Sequence, residues 1–268
     1  MKLFVLISIS LVILSSSSCN NKPSNKNTSE TIQKQETTKE IIKISTVTFV
    51  SGKDTTTAYL AEPEGSGPFP ALIVIQEWWG LNDWITENAN MFAEKGYVAL
   101  AVDLYRGKSA TSPDEAHELM RGLPEDRAIR DLKAAFTFLH ERENVNKEKI
   151  GSIGWCMGGG YSLQTALNVP ELKASVVCYG RLVTDESTVR KINCPLLGIF
   201  GEMDRGITPE DVKEFEESLN KEGKKNNIII YRNVGHAFMN PNNKQGYNKE
   251  ITDKAWNEIF TFLDQNLK

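Results

Sequence analysis

A chain of 268 residues, a quarter of them charged and 40% apolar, is long enough to bury one sizeable core and too apolar for disorder to be its default. Its formal net charge of −4, with lysines and arginines scattered along the chain, supplies no basic field and excludes a nucleic-acid partner held by charge.

Lys2, the apolar run from Leu3 to Leu14 and the small residues Ser15 to Ser18 read as a signal peptide over residues 1–18. The run is too short to span a bilayer. Cys19 follows at once, and the arrangement resembles a bacterial lipoprotein signal whose cysteine is lipidated after cleavage. Plain secretion with an incidental cysteine is the alternative, and export to the cell envelope is expected in both cases. Residues 19–40 are almost devoid of apolar side chains, cannot offset their ordering entropy, and read as a disordered tether.

From residue 41 to the end, short β-rich runs alternate with helical patterns. IIKISTVTF and TTTAYLAEP read as strands joined by a turn at Ser51 to Asp54, and ALIVIQ as a strand buried on both faces. Asn82 to Lys95 is an amphipathic helix stopped by Gly96, and YVALAVDL is a second buried strand. A helix over Pro124 to Glu143, the strand KIGSIGW, the helix GGYSLQTAL and the strand KASVVCYG come next. PLLGIFGE, a helix over Pro209 to Glu222, NIIIYRN and a helix over Asn248 to Asn266 complete the series. Such alternation implies one α/β domain, a mostly parallel sheet with helices on both faces. The Gly180 to Cys194 connection is too short for a large cap domain, so a modest, open site is expected.

GWCMGGG, Gly154 to Gly160, is the conspicuous motif. A strand ending at Trp155, then a cysteine, then glycines opening a helix is the nucleophile-elbow arrangement, in which side-chain-free neighbours leave room for a strained residue. At the start of a helix the dipole and free N–H groups favour a thiolate. A base is then needed, and the chain has only His117, His140 and His236. The first two fall in helical patterns among charged residues and read as solvated surface groups. His236 follows NIIIYRN, and Asp204 follows PLLGIFGE, both at carboxyl ends of strands, where reactive groups collect in open α/β sheets. The order nucleophile, acid, histidine matches that of α/β-hydrolases. No Cys-x-x-Cys or His-x-x-x-His spacing occurs, so neither a metal nor another cofactor is expected. Cys178 and Cys194 read either as small core residues or as a pair.

The set QEWWGLN, YVALAVDLYRG, GWCMGG, CYG, GEMD and GHAF resembles the dienelactone hydrolase family over Ile42 to Leu267. The resemblance implies an α/β-hydrolase fold and cleavage of a small ester or lactone through a thioester; a monomer is expected. It makes Cys156 the nucleophile, Asp204 the orienting acid, His236 the base, and Glu77 a carboxylate interacting with the resting thiol. It makes the N–H groups of Met157 and Trp78 the oxyanion hole, and points to Arg106, Tyr179 and Trp79 as substrate contacts. Where the family carries a second substrate arginine, HAFMN has Asn240, with Arg181 as a substitute. Trp78, Trp79 and Trp84 are candidates for an apolar pocket wall. Acyl transfer through the same intermediate, and small-molecule binding without turnover, are the rival readings.

Overall fold

The computed structural model describes residues 42–268; the signal peptide, the tether and Cys19 lie outside the described residues. In chain order the elements are β1 (Ile42–Ser51), β2 (Asp54–Pro63), β3 (Phe69–Ile75), α1 (Asp83–Glu94), β4 (Val98–Val102), α2 (Pro113–Arg121), α3 (Glu125–His140) and β5 (Val145–Trp155). α4 (Met157–Asn168), β6 (Ala174–Cys178), α5 (Glu186–Val189), β7 (Leu196–Gly201), α6 (Pro209–Lys221), β8 (Asn226–Tyr231) and α7 (Lys249–Leu267) follow.

The strands form one eight-stranded sheet in the order β1-β2-β4-β3-β5-β6-β7-β8. β1 and β2 are an antiparallel hairpin and β2 joins β4 antiparallel, whereas every pairing from β4 to β8 is parallel. Parallel strands must be covered on both faces, because the crossover helices lie there. β3 meets that demand by alternation: Ala71, Ile73 and Ile75 pack with α3, α4 and α6 on one face, and Leu72 and Val74 with α1 and α7 on the other. The α/β architecture expected from the sequence is thus the one observed.

Local chemistry sets the helix ends. The Asn82 side chain accepts from Ile85 N–H at the start of α1, and Ser112 with Glu115 forms a reciprocal capping box on α2, with Pro113 in its first turn. Some elements differ from expectation: β5 begins at Val145 instead of Lys149, and α2 has no counterpart in the expected series. α3 stops at His140 instead of Glu143, because the chain turns there and Val145 N–H bonds to Arg142 C=O as β5 begins. The one-turn α5, capped by Asp185, is too short to leave a periodic signal.

The chain passes from β3 outward to β4 and then back across to β5. This switch point opens a crevice beyond the carboxyl ends of β3 and β5, and the loops after β3, β5, β7 and β8 all face that end of the sheet.

Candidate active site

Cys156 is the residue between β5 and α4, with φ 55° and ψ −118°. Positive φ is costly for a residue with a Cβ, on the order of 1–3 kcal/mol, and it persists here because neighbouring backbones leave no alternative. A Cβ on Gly154 would meet the backbone of Gly158, and a Cβ on Gly158 would meet the carbonyl oxygens of Ile75 and Gln76. The elbow is further fastened by Cys156 N–H donating to Cys178 C=O at 3.0 Å.

Asp204, one turn beyond β7, is buried. Its Oδ1 accepts from the N–H groups of Gly206 and Ile207 at 2.8 and 3.1 Å, leaving Oδ2 for His236 Nδ1 at 2.7 Å. Burial alone would raise the Asp204 carboxyl, but the histidine and those two N–H groups hold it below the ordinary carboxylate value. Burial works against the His236 cation as well; the interactions with Asp204 and Cys156 outweigh it and push His236 up to about 10. The imidazolium formed when His236 accepts a proton is thereby stabilised beside Asp204.

Glu77, the second residue after β3, is 2% exposed. Its Oε2 accepts from Asn240 Nδ2 at 2.6 Å, while Oε1 is buried without a partner. Burial pushes the carboxyl up, the Asn240 bond and the His236 charge pull it back, and the balance falls at about 7. Glu77 is thereby poised between acid and carboxylate at neutral pH.

Cys156, Asp204, His236 and Glu77 all line one cleft of about 1010 Å³. The modest site expected from the short β6–β7 connection is in fact roomy, because α2 raises one wall and the loop around Asn243 raises another. Among the described residues, the N–H groups of Met157 and Trp78 donate to no protein acceptor; that of Met157 belongs to the first turn of α4, which has no intrahelical acceptor.

The chain residues 56–267 match the family model described as the dienelactone hydrolase family. The chain belongs to the dienelactone hydrolase family. Membership makes it a hydrolase of the lactone and carboxylic ester type. Among curated relatives it is 33% identical over 216 residues to the Aquifex pyrophilus protein usf, covering 78% of this chain and 93% of that one. It is 30% identical over 222 residues to a Methylorubrum extorquens protein named as a carboxymethylenebutenolidase, covering 78% and 76%. A solved Klebsiella pneumoniae structure named as a dienelactone hydrolase superposes with a TM-score of 0.77 at 26% identity, covering 84% of this chain and 99% of that one.

Within this dienelactone hydrolase fold, some residues singled out from the sequence lie elsewhere. Arg106 does not line the cleft: its guanidinium bonds to the fully buried Asp131 at 2.9 Å, and Asp131 also accepts from Ser51 at 2.5 Å. A substrate role for Arg106 is therefore set aside, since leaving would strand a buried carboxylate. Tyr179 is 0% exposed, its ring edge-on to His236 at 5.3 Å; it backs the imidazole and cannot touch substrate. Trp78 and Trp79 do line the cleft, but Trp84 packs edge-on to Trp155 in the core. Arg181 lines a neighbouring cavity and not this one. Cys178 and Cys194 are free thiols, both buried, on opposite faces of the sheet.

Other residues of the site escaped the sequence reading. His117 is exposed, as read, but it also stands in the cleft wall with its ring edge-on to Trp78 at 4.7 Å. Met120, one turn later on α2, and the exposed Met203 join it. A faint signal existed: His117 and Met120 are three apart and share one face of a helix that buries only Ala116.

Proposed function

We propose that this hydrolase cleaves small esters or lactones through a thioester on Cys156. The observation that carries the reading is the Asp204–His236 pair at 2.7 Å, lining the same cleft as a cysteine held at positive φ on a strand-helix elbow.

In the first half-reaction His236 takes the thiol proton and Sγ attacks the substrate carbonyl carbon. The carbonyl electron pair moves to oxygen, where the Met157 and Trp78 N–H groups receive the negative charge. Collapse of this adduct breaks the carbon–oxygen ester bond, the leaving alkoxide takes the proton from His236, and a thioester is left. In a lactone the alcohol stays tethered to the acyl group. In the second half-reaction His236 deprotonates water, hydroxide adds to the thioester carbon, and Sγ departs and recovers the proton. Asp204 keeps the His236 Nδ1 proton in place and stabilises the imidazolium, so that Nε2 faces the reaction. Glu77, when ionised, opposes a second negative charge on Cys156; when protonated, its unpartnered Oε1 has a proton to offer the sulfur.

Cys156→Ala tests the reading. It should abolish turnover of p-nitrophenyl acetate while leaving the circular dichroism spectrum and Tm near wild type, and intact-mass analysis of wild type under turnover should find an acyl adduct on Cys156. Turnover retained in the alanine variant would end the proposal. We also propose export and lipid attachment at Cys19, resting on the sequence of residues 1–19; wild-type chain without lipid by mass spectrometry would overturn that.

A further inference from the structure

A second cavity, of about 380 Å³, adjoins the cleft. Met120 is the residue that lines both. Met157, directly after Cys156 and bearing one of the two uncommitted N–H groups, lines the second cavity. The two spaces therefore share Met120, and the second one reaches Met157 beside the nucleophile.

The two methionines are held differently. Met157 Sδ accepts a hydrogen bond from Tyr105 Oη at 3.2 Å. Met120 has no such bond, is half-buried, and sits in the last turn of α2, a helix with Ala116 as its one buried residue. An unbranched side chain with three rotatable bonds, bordered by space on two sides, can give way to a ligand or be removed at small cost.

We infer that Met120 is the partition that limits the length of the acyl arm, and that the cavity behind it receives the end of a longer, unbranched arm. This rests on the hydrolytic reading above. The acyl group is the part concerned, because its carbonyl oxygen lies at the Met157 N–H while the Met157 side chain borders the second cavity. The chemistry of that cavity defines the arm's end. Met120, Met157 and Val183 suit methylenes; the Tyr161 hydroxyl and Gln164 amide suit a hydrogen-bonding group. Arg181 and Glu125 place one charge of each sign on its wall, which favours a neutral polar end, such as a hydroxyl, over a bare ion.

The experiment uses detergent-solubilised full chain and p-nitrophenyl acetate, butyrate, hexanoate and omega-hydroxyhexanoate. Each methylene newly buried is worth about fourfold in kcat/KM, so Met120→Ala should raise the hexanoate-to-acetate ratio on the order of tenfold, with the hydroxyhexanoate gaining at least as much. Gln164→Trp, which fills the second cavity from α4, should cancel the gain in the double variant, returning the hexanoate-to-acetate ratio to that of wild type. If circular dichroism shows Met120→Ala misfolded, Met120→Val serves the same comparison. No change in the ratio, a gain that survives Gln164→Trp, or a gain seen with longer alcohols instead of longer acyl groups would overturn the assignment. Acetate turnover dependent on Cys156 in every variant separates that outcome from failure of the hydrolytic reading.

Discussion

Glu77→Gln isolates the cost of a buried carboxylate. The side chain is 2% exposed, and its one hydrogen bond, from Asn240 at 2.6 Å, is retained by a glutamine that presents its oxygen to Asn240. In the folded chain the carboxyl lies at about 7 against an ordinary 4.5, so folding favours the protonated form. Below about pH 4.5 both folded and unfolded chains hold the proton and the group costs nothing. As pH rises, the unfolded chain releases its proton first, and stability is lost progressively until the folded group also ionises near 7. At about 1.36 kcal/mol per pH unit, the full loss is about 3 kcal/mol, most of it between about pH 4.5 and 7. Glutamine removes the ionisation, so urea unfolding of Glu77→Gln should show that stability gained relative to wild type at pH 8 and little difference at pH 4. The same variant should lower kcat and remove any inflection near pH 7 from its pH profile. Stability curves for the two proteins that run parallel from pH 5 to 8 would refute a carboxyl titrating near neutrality inside the fold.

Asp204→Asn should keep the fold and slow thioester formation by orders of magnitude, and His236→Ala should do at least as much harm; kcat/KM for the double variant should be scarcely lower than for either single one, because the two act as a unit. His117→Ala removes a ring from the cleft wall against Trp78, so steady-state kinetics should show KM raised several-fold and kcat little changed, as expected for lost substrate contact. Arg106→Gln breaks the bond to buried Asp131 and should cost about 3 kcal/mol in urea unfolding, as for a buried pair deprived of one partner, while KM for p-nitrophenyl acetate stays within twofold. A KM rise without loss of stability would return Arg106 to the substrate.

The amino-acid order alone was enough for the alternation of β3, α1, β4 and their successors, because buried parallel strands need continuous apolar runs and their covering helices need a periodic face. It was enough also for the elbow, a local motif in which Gly154, Cys156 and Gly158 lie within five residues, and for placing Asp204 and His236 after strands. Those features depend on neighbours along the chain. Arg106 shows the limit: its partner Asp131 is 25 residues away and Asp131's other partner, Ser51, is 80 away, so nothing nearby distinguishes a buried structural arginine from one offered to a ligand. The burial of Tyr179 and the cleft-facing position of His117 escaped the sequence for the same reason. Tyr179 ends a strand and looked accessible, yet the rings of His236 and Phe238 close over it; His117 is exposed, as expected, yet the packing of α2 also sets it against Trp78 at the cleft wall. Which side chain faces a cleft is decided by elements distant in sequence coming together, and that arrangement follows from burying all their apolar faces at once.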